Sequence, residues 1–303
     1  MNYAEEPLVF TCADETLVGI LSAPASDATT GVVIVVGGPQ YRAGSHRQFV
    51  RLARTLASAG HAALRFDYRG MGDSSGNARD FLNVTQDIRA AIEALQRRLP
   101  TVSKIVLWGL CDGASAALLY CRETQDQRIA GLCLVNPWVR SEASLARTQV
   151  KHYYAQRLMQ REFWLKLMSG KVAAAALSGL VRSIRLSAGS AGSAGSAASA
   201  GAIASNASFQ QRMAEAWHSF QGSILLLLSG DDYTAKEFVE YAQTDTTWSA
   251  ALKQAKVVQH VLDDADHTFS DHAARTRVED LTRNWLDAQV HPTRNPAGLA
   301  LAP

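Results

Sequence analysis

The chain has 303 residues and a mass of 32.7 kDa, enough for one large α/β domain or two small ones and enough to bury a core without staples. Its 30 basic and 28 acidic side chains leave a net charge of +2, which gives no electrostatic reason for a nucleic-acid partner. At 47% hydrophobic and 19% charged residues it is neither a disordered chain nor a membrane bundle, and no run approaches the ~20 apolar residues of a membrane span.

The first seven residues lack the basic start and apolar run of a secretory signal. The four cysteines, Cys12, Cys111, Cys121 and Cys133, form no CxxC pair, so neither a zinc nor a thioredoxin-like site is indicated. A cytoplasmic protein with reduced thiols is expected.

In chain order, two alternating runs at 8–12 and 16–23 flank Ala13-Asp14-Glu15 and predict an antiparallel hairpin. Val32-Val33-Ile34-Val35-Val36 reads as a buried strand, ended by Gly37-Gly38-Pro39. Phe49, Leu52, Ala53 and Leu56 recur at helical spacing until Gly60. Three further strands are expected at 62–67, 104–108 and 130–135, with helices at 81–99 and 114–122. Short apolar strands alternating with amphipathic helices predict a mostly parallel sheet covered on both faces.

The alternation breaks at Asn136-Pro137. Residues 139–186 read as helices, and 187–207 are almost wholly Ser, Ala and Gly, a composition that buries little apolar area per residue ordered. Strands return at 223–228 and 256–262, followed by a helix at 274–288 and a tail. The expected organisation is therefore a core formed by 1–138 and 222–290, a helical cap inserted at 139–221, and a tail at 291–303.

The sharpest chemical signal is Gly109-Leu110-Cys111-Asp112-Gly113, a G-x-C-x-G sequence between a strand and a helix. The two glycines permit a sharp turn that raises the central side chain at the sheet's C-terminal edge. Its sulfur then lies at a helix N-terminus, which favours thiolate. The other three cysteines sit in apolar strand or helix patterns and read as core.

A nucleophile needs a base, and the base needs an orienting group. Gly230-Asp231-Asp232 follows the seventh strand and Asp266-His267 the eighth. The order Cys111, Asp232, His267 at the ends of strands five, seven and eight is that of a nucleophile–acid–base triad on an α/β-hydrolase sheet. Asp231 is the alternative acid, since adjacent residues cannot both aim at one imidazole. The remaining histidines lack a strand-end position with a matching acid, although His46 lies near the loop after the third strand. Acyl transfer also needs donors for an oxyanion, worth ~3 kcal/mol each. The expected donors are the backbone N–H of Asp112 and that of Gln40, because Pro39 has none.

Asp67-Tyr68-Arg69-Gly70-Met71-Gly72-Asp73-Ser74 is glycine-rich yet matches neither phosphate-binding pattern. It reads as a tight loop bracing the site. Trp138, Tyr153, Tyr154, Phe163 and Trp164 either line an acyl pocket or pack the cap.

With these residues in view, the chain resembles the α/β-hydrolase superfamily over nearly its full length. More narrowly it resembles hydrolase 1 of the exosortase A system-associated group. The residues that carry this are the run from Gly37-Gly38-Pro39-Gln40-Tyr41-Arg42 to Phe49, residues 66–74, 109–115 and 228–238, and Asp266-His267-Thr268-Phe269. The resemblance implies Cys111 as nucleophile, Asp232 as acid and His267 as base, and an association with exopolysaccharide and exosortase systems. The Ser/Ala/Gly tract departs from that group's pattern. The expectation is an ester or thioester hydrolase acting on a small acyl substrate, with neither metal nor organic cofactor. An acyltransferase using the same triad, or a non-catalytic binding protein retaining the fold, are the alternatives. A haloalkane dehalogenase would need Asp at position 111.

Overall fold

The computed structural model describes residues 2–38, 40–140 and 207–290. The expectations for Pro39, for the cap helices and the Ser/Ala/Gly tract up to Asn206, and for the tail from His291 lie outside these residues. By contacts the chain divides into Met1–Trp138 with Ala207–Pro303, and Val139–Asn206.

The first unit is built on one eight-stranded sheet of order β1-β2-β4-β3-β5-β6-β7-β8. β1 (Tyr3–Cys12) and β2 (Glu15–Pro24) form the hairpin. Its turn residues Ala13 and Asp14 both have positive φ, 46° and 66°, as a turn matched to strand twist requires. β2 meets β4 (Ala62–Asp67) antiparallel. From there β3 (Thr30–Val35), β5 (Lys104–Leu110), β6 (Ile129–Val135), β7 (Ser223–Ser229) and β8 (Val257–Leu262) run parallel. Every residue of β3 and β4 is buried, as expected for β-branched and apolar strands with both faces covered.

The covering helices are α1 (Gln48–Ser58), α2 (Thr85–Arg98), α3 (Asp112–Thr124), α4 (Phe209–Ser219), α5 (Tyr233–Thr244), α6 (Thr246–Ala251) and α7 (His272–Val290). α1 shows the logic. Phe49, Leu52, Ala53 and Leu56 are buried on one face, each large side chain removed from water contributing about 1.5–3 kcal/mol. They pack with Val32, Ile34, Trp108 and, from α7, Leu281 and Trp285 in one core.

Two expectations are corrected. The helix at 81–99 is a short 3-10 turn, Phe81–Asn83, capped by the Asp80 carboxylate, followed by α2 after a non-helical Val84. The insertion ends near Asn206 rather than 221. α4, which carries a Ser208/Gln211 capping box, packs on the sheet unit through α3 and α6, and its Trp217 meets Trp248 edge-on at 5.4 Å.

The parallel registers matter most for function. Val35 pairs with Gly109, Leu110 with Val135, Val135 with Leu227, and Ser229 with Leu262. The loops after β3, β5, β6, β7 and β8 therefore leave the sheet at one edge, where α/β folds assemble ligand sites.

Candidate active site

Cys111 is the one-residue link between β5 and α3. Its φ of 61° and ψ of −126° are strained for a residue with a Cβ, a cost of order 1–3 kcal/mol that persists only when surroundings over-determine it. Those surroundings are visible. A Cβ on Gly109 would lie 2.4 Å from the carbonyl of Gly113, and one on Gly113 would lie 2.4 Å from the carbonyl oxygen of Val35. Strand, turn and helix thus pass too closely for any other residue. The Cys111 N–H donates to Val135 at 2.9 Å, and its carbonyl accepts from Trp138 and from Ala114. The side chain is half-buried at the start of a 13-residue helix, where the helix dipole favours thiolate.

The other thiols lie in different surroundings. Cys12 and Cys133 are buried and Cys121 is half-buried. Burial pushes all three up, Cys121 to about 12.

Asp232 and His267 meet. His267 Nδ1 lies 2.8 Å from Asp232 Oδ2. The Asp232 carboxylate also accepts the N–H groups of Thr234 and Ala235 at 3.1 and 3.0 Å, so it is the N-cap of α5 as well. Burial pushes this carboxyl up, but His267 and those two N–H groups more than offset it and hold it below the usual range. Asp231 faces elsewhere: its side chain is 83% exposed and 3.8 Å from Lys236 Nζ. Asp266 also turns away, accepting from the backbone of Thr268 and Ser270.

A residue that the sequence reading did not assign supports the His267 loop from behind. Asn136, fully buried with φ 46°, follows β6. Its Oδ1 accepts the Ser229 N–H at 2.8 Å, while Nδ2 donates to Ser229 Oγ at 2.9 Å and to the His267 carbonyl at 3.4 Å. Ser229 Oγ in turn donates to the Asp266 carbonyl at 2.9 Å. The ends of β6 and β7 and the histidine loop are thereby tied together by buried polar groups. Asn136→Ala leaves the buried Ser229 N–H without its acceptor and removes the donor to Ser229 Oγ and the His267 carbonyl, so the expected loss is about 3 kcal/mol in urea unfolding. A loss under about 1 kcal/mol, the typical net value of one exchanged hydrogen bond, would show that water replaces the amide.

The Asp112 N–H lies in the first turn of α3, beside Cys111. Its carboxyl packs against Gly37, and burial pushes it up against the opposing pull of the Gly38, Gly113 and Asp112 N–H groups and of His267. Gln40 sits in the loop after β3, and its Oε1 accepts from Gln48 Nε2 at 3.3 Å. The loop after β4 is held by a buried ion pair. Arg69 sends its backbone N–H and guanidinium to Asp87 at 2.8–2.9 Å. His46 has φ 52° and lies within electrostatic reach of Asp266.

Cavities of about 260 and 270 Å³ open at the N-terminal ends of the strands, around Cys121 and Phe220 and around Thr30 and Gly131, away from the edge that carries Cys111. Among the described residues no group of three or more His, Cys, Asp or Glu side chains could hold a metal ion. Nor is any described helix long and apolar enough to cross a membrane.

Comparison with known proteins agrees with this architecture. The esterase Pf2001 of Pyrococcus furiosus superposes with a TM-score of 0.61 at 16% identity, over 94% of this chain and 92% of that one. Est1E of Butyrivibrio proteoclasticus, solved with ferulic acid bound, gives 0.60 at 16% identity over 93% and 99%. At such identities the likeness is one of fold. The quorum-quenching protein AidA of Acinetobacter baumannii is 29% identical over 139 residues, 43% of this chain and 44% of that protein. Human ABHD12B is 32% identical over 95 residues, 31% and 25% of the two chains. The chain thus matches less than half the length of either curated relative. The sequence model of one family runs from residue 27 to 269, through every strand-end residue described above. The protein has the α/β-hydrolase fold and belongs to the family described as serine aminopeptidase, S33.

Proposed function

We propose that this hydrolase cleaves an ester or thioester bond through a Cys111–His267–Asp232 triad. The observation that carries the reading is the 2.8 Å Asp232–His267 pair on the same sheet edge as the strained Cys111 turn. Asp232 holds the proton of His267 on Nδ1, which leaves Nε2 as the base. The Cys111 thiol gives its proton to Nε2 as the sulfur attacks the acyl carbon. The carbonyl π pair moves onto oxygen, where the N–H groups of Asp112 and Gln40 stabilise it. Collapse expels the alcohol or thiol, which takes the proton back from His267, and leaves a Cys111 thioester. Water, deprotonated by His267, then repeats the sequence and releases the acid. The nucleophile in this reading is a cysteine, whereas the family's description names a serine.

The finer likeness to hydrolase 1 of the exosortase A-associated group belongs to the same reading, with its link to exopolysaccharide systems. The test is a chain-length series of p-nitrophenyl esters and acyl thioesters, run with Cys111→Ala beside the wild type. Turnover on at least one short or medium acyl ester, absent from the variant, is expected. Equal rates in the two proteins would sink the nucleophile assignment. Acyl transfer to an added alcohol in preference to water would redirect the reading to an acyltransferase.

A further inference from the structure

We propose that Asp67 and Arg42 form a positioning pair that holds the loop 37–42 in the conformation the oxyanion requires. The inference rests on the reading of that loop as half of the anion hole. Asp67 is the last residue of β4 and its side chain is fully buried. A carboxylate so deeply placed is tolerable only if donors converge on it, and they do. Oδ1 accepts the Arg42 N–H at 2.7 Å, and Oδ2 accepts the Asp73 N–H at 3.1 Å. Oδ2 also pairs with the Arg42 guanidinium, whose other arm pairs with the Asp73 carboxylate. One buried anion thus fixes both the backbone and the side chain of a single loop residue.

The other end of the loop is fixed by packing. A Cβ on Gly37 would lie 2.2 Å from Asp112 Oδ1 and 2.7 Å from the Gly113 N atom. Gly37 is therefore seated against the very turn that carries Cys111 and the first N–H donor. Gln40 lies between these two fixed points, and its side chain is tethered to Gln48. A turn closed by the Gly44 N–H on the Tyr41 carbonyl, at 2.8 Å, continues the constraint toward α1. Anion-hole donors act by being in place before charge develops, so their position must be held to within about 0.5 Å. Among the described residues, the Asp67 carboxylate is the polar anchor that ties the distal end of this loop to the sheet. The glycine-rich segment after β4 is thus the loop's counterpart, offering Asp73 as the outer arm of the latch.

Loosening the latch removes stabilisation present in the transition state and not in the ground state, so kcat falls with KM little changed. Alkylation of Cys111 by iodoacetamide passes through no tetrahedral oxyanion and serves as the internal control. The experiment compares acylation of Cys111 by p-nitrophenyl acetate with its alkylation in Arg42→Met, Arg42→Lys and Asp67→Asn, each read by intact mass. Arg42→Met keeps the buried carboxylate and tests the latch even if Asp67→Asn fails to fold. Expected is acylation slowed about 100-fold in Arg42→Met, the scale of a lost oxyanion donor. Alkylation should stay within about twofold because that step does not use the hole, and Arg42→Lys should recover part of the lost acylation. If alkylation and acylation fall together, the pair is a general scaffold and the proposal is overturned. Unchanged acylation in Arg42→Met overturns it as well. Wild-type Cys111 that alkylates but never acylates would defeat the anion-hole reading itself, a pattern visible before any variant is compared.

Discussion

Asp232→Asn is expected to lower ester turnover by about 10⁴-fold, while Asp231→Asn changes it by no more than about twofold. The two neighbours differ in what their carboxylates touch. Asp232 Oδ2 is 2.8 Å from His267 Nδ1. Asp231 is largely in solvent, loosely opposite Lys236. An asparagine at 232 can turn its NH₂ toward Nδ1, which places the imidazole proton on Nε2 and, on the proposed mechanism, leaves the thiol without a base. Its oxygen then takes the place of Oδ1 and still accepts the Thr234 N–H, while the Ala235 N–H, which Asp232 Oδ2 accepts, loses that partner; Asn nonetheless caps helices about as well as Asp. Stability at neutral pH should therefore fall far less than activity.

The pH dependence separates the two roles further. In the folded protein the Asp232 carboxyl is held below its ordinary value by His267 and the two N–H groups, against burial. Its contribution to stability is complete above the unfolded value and is lost as pH falls through the lowered one. Acid unfolding of the variant should lack that component. A mild effect of Asp232→Asn with a severe one from Asp231→Asn would move the acid to the neighbour and leave the rest of the triad standing.

Much of this arrangement was legible because α/β folds couple sequence order to position. The strand at Ala62–Asp67 was predicted with the bounds observed, since an apolar run between a glycine stop and a glycine-rich loop has little freedom. The strand–turn–helix link at Cys111 was legible from two glycines at positions where the backbone leaves no room for a Cβ. Other features carry no such pattern. β1 begins at Tyr3 rather than at residue 8, because its outer half is held by charge. Glu5 pairs with Arg54 and Arg65, and Glu6 with Arg98, and ion pairs leave no hydrophobic alternation to read.

The helix at 81–99 divides at Val84, with φ −111° and ψ 11°. The apolar positions on both sides keep the same spacing, so periodicity alone could not show the break. α5 was missed for a different reason. Its start is defined by Asp232, which the sequence analysis read only as the acid and which the structure also makes the helix cap. Asn136 was noticed only as a break in the strand pattern before a proline. Its partners, Ser229 and the carbonyl of His267, are 93 and 131 residues away, a distance at which only the folded sheet brings them together.

The thiols give the second large effect. Near neutral pH, Cys111 is expected to react with iodoacetamide at least about 100-fold faster than Cys12, Cys121 or Cys133, because the thiolate is the reacting form. Burial pushes Cys121 to about 12, which leaves a thiolate fraction of about 10⁻⁵ at neutral pH. Cys12 and Cys133 are raised by burial too, and both sit in the core with little access for a reagent. Cys111 instead begins a helix, whose dipole lowers a thiol relative to the free value of ~8.5. On the proposed mechanism His267 adds to this, since its Nε2 takes the thiol proton as the sulfur attacks. His267→Ala should then slow labelling of Cys111 by about tenfold without changing the order among the four cysteines. Peptide mass spectrometry after a short exposure reads all four sites at once. Labelling of Cys12, Cys121 or Cys133 ahead of Cys111, with ester turnover intact, would defeat the nucleophile assignment. Labelling of Cys111 that is indifferent to His267 would leave the sulfur as nucleophile and remove the histidine as its base.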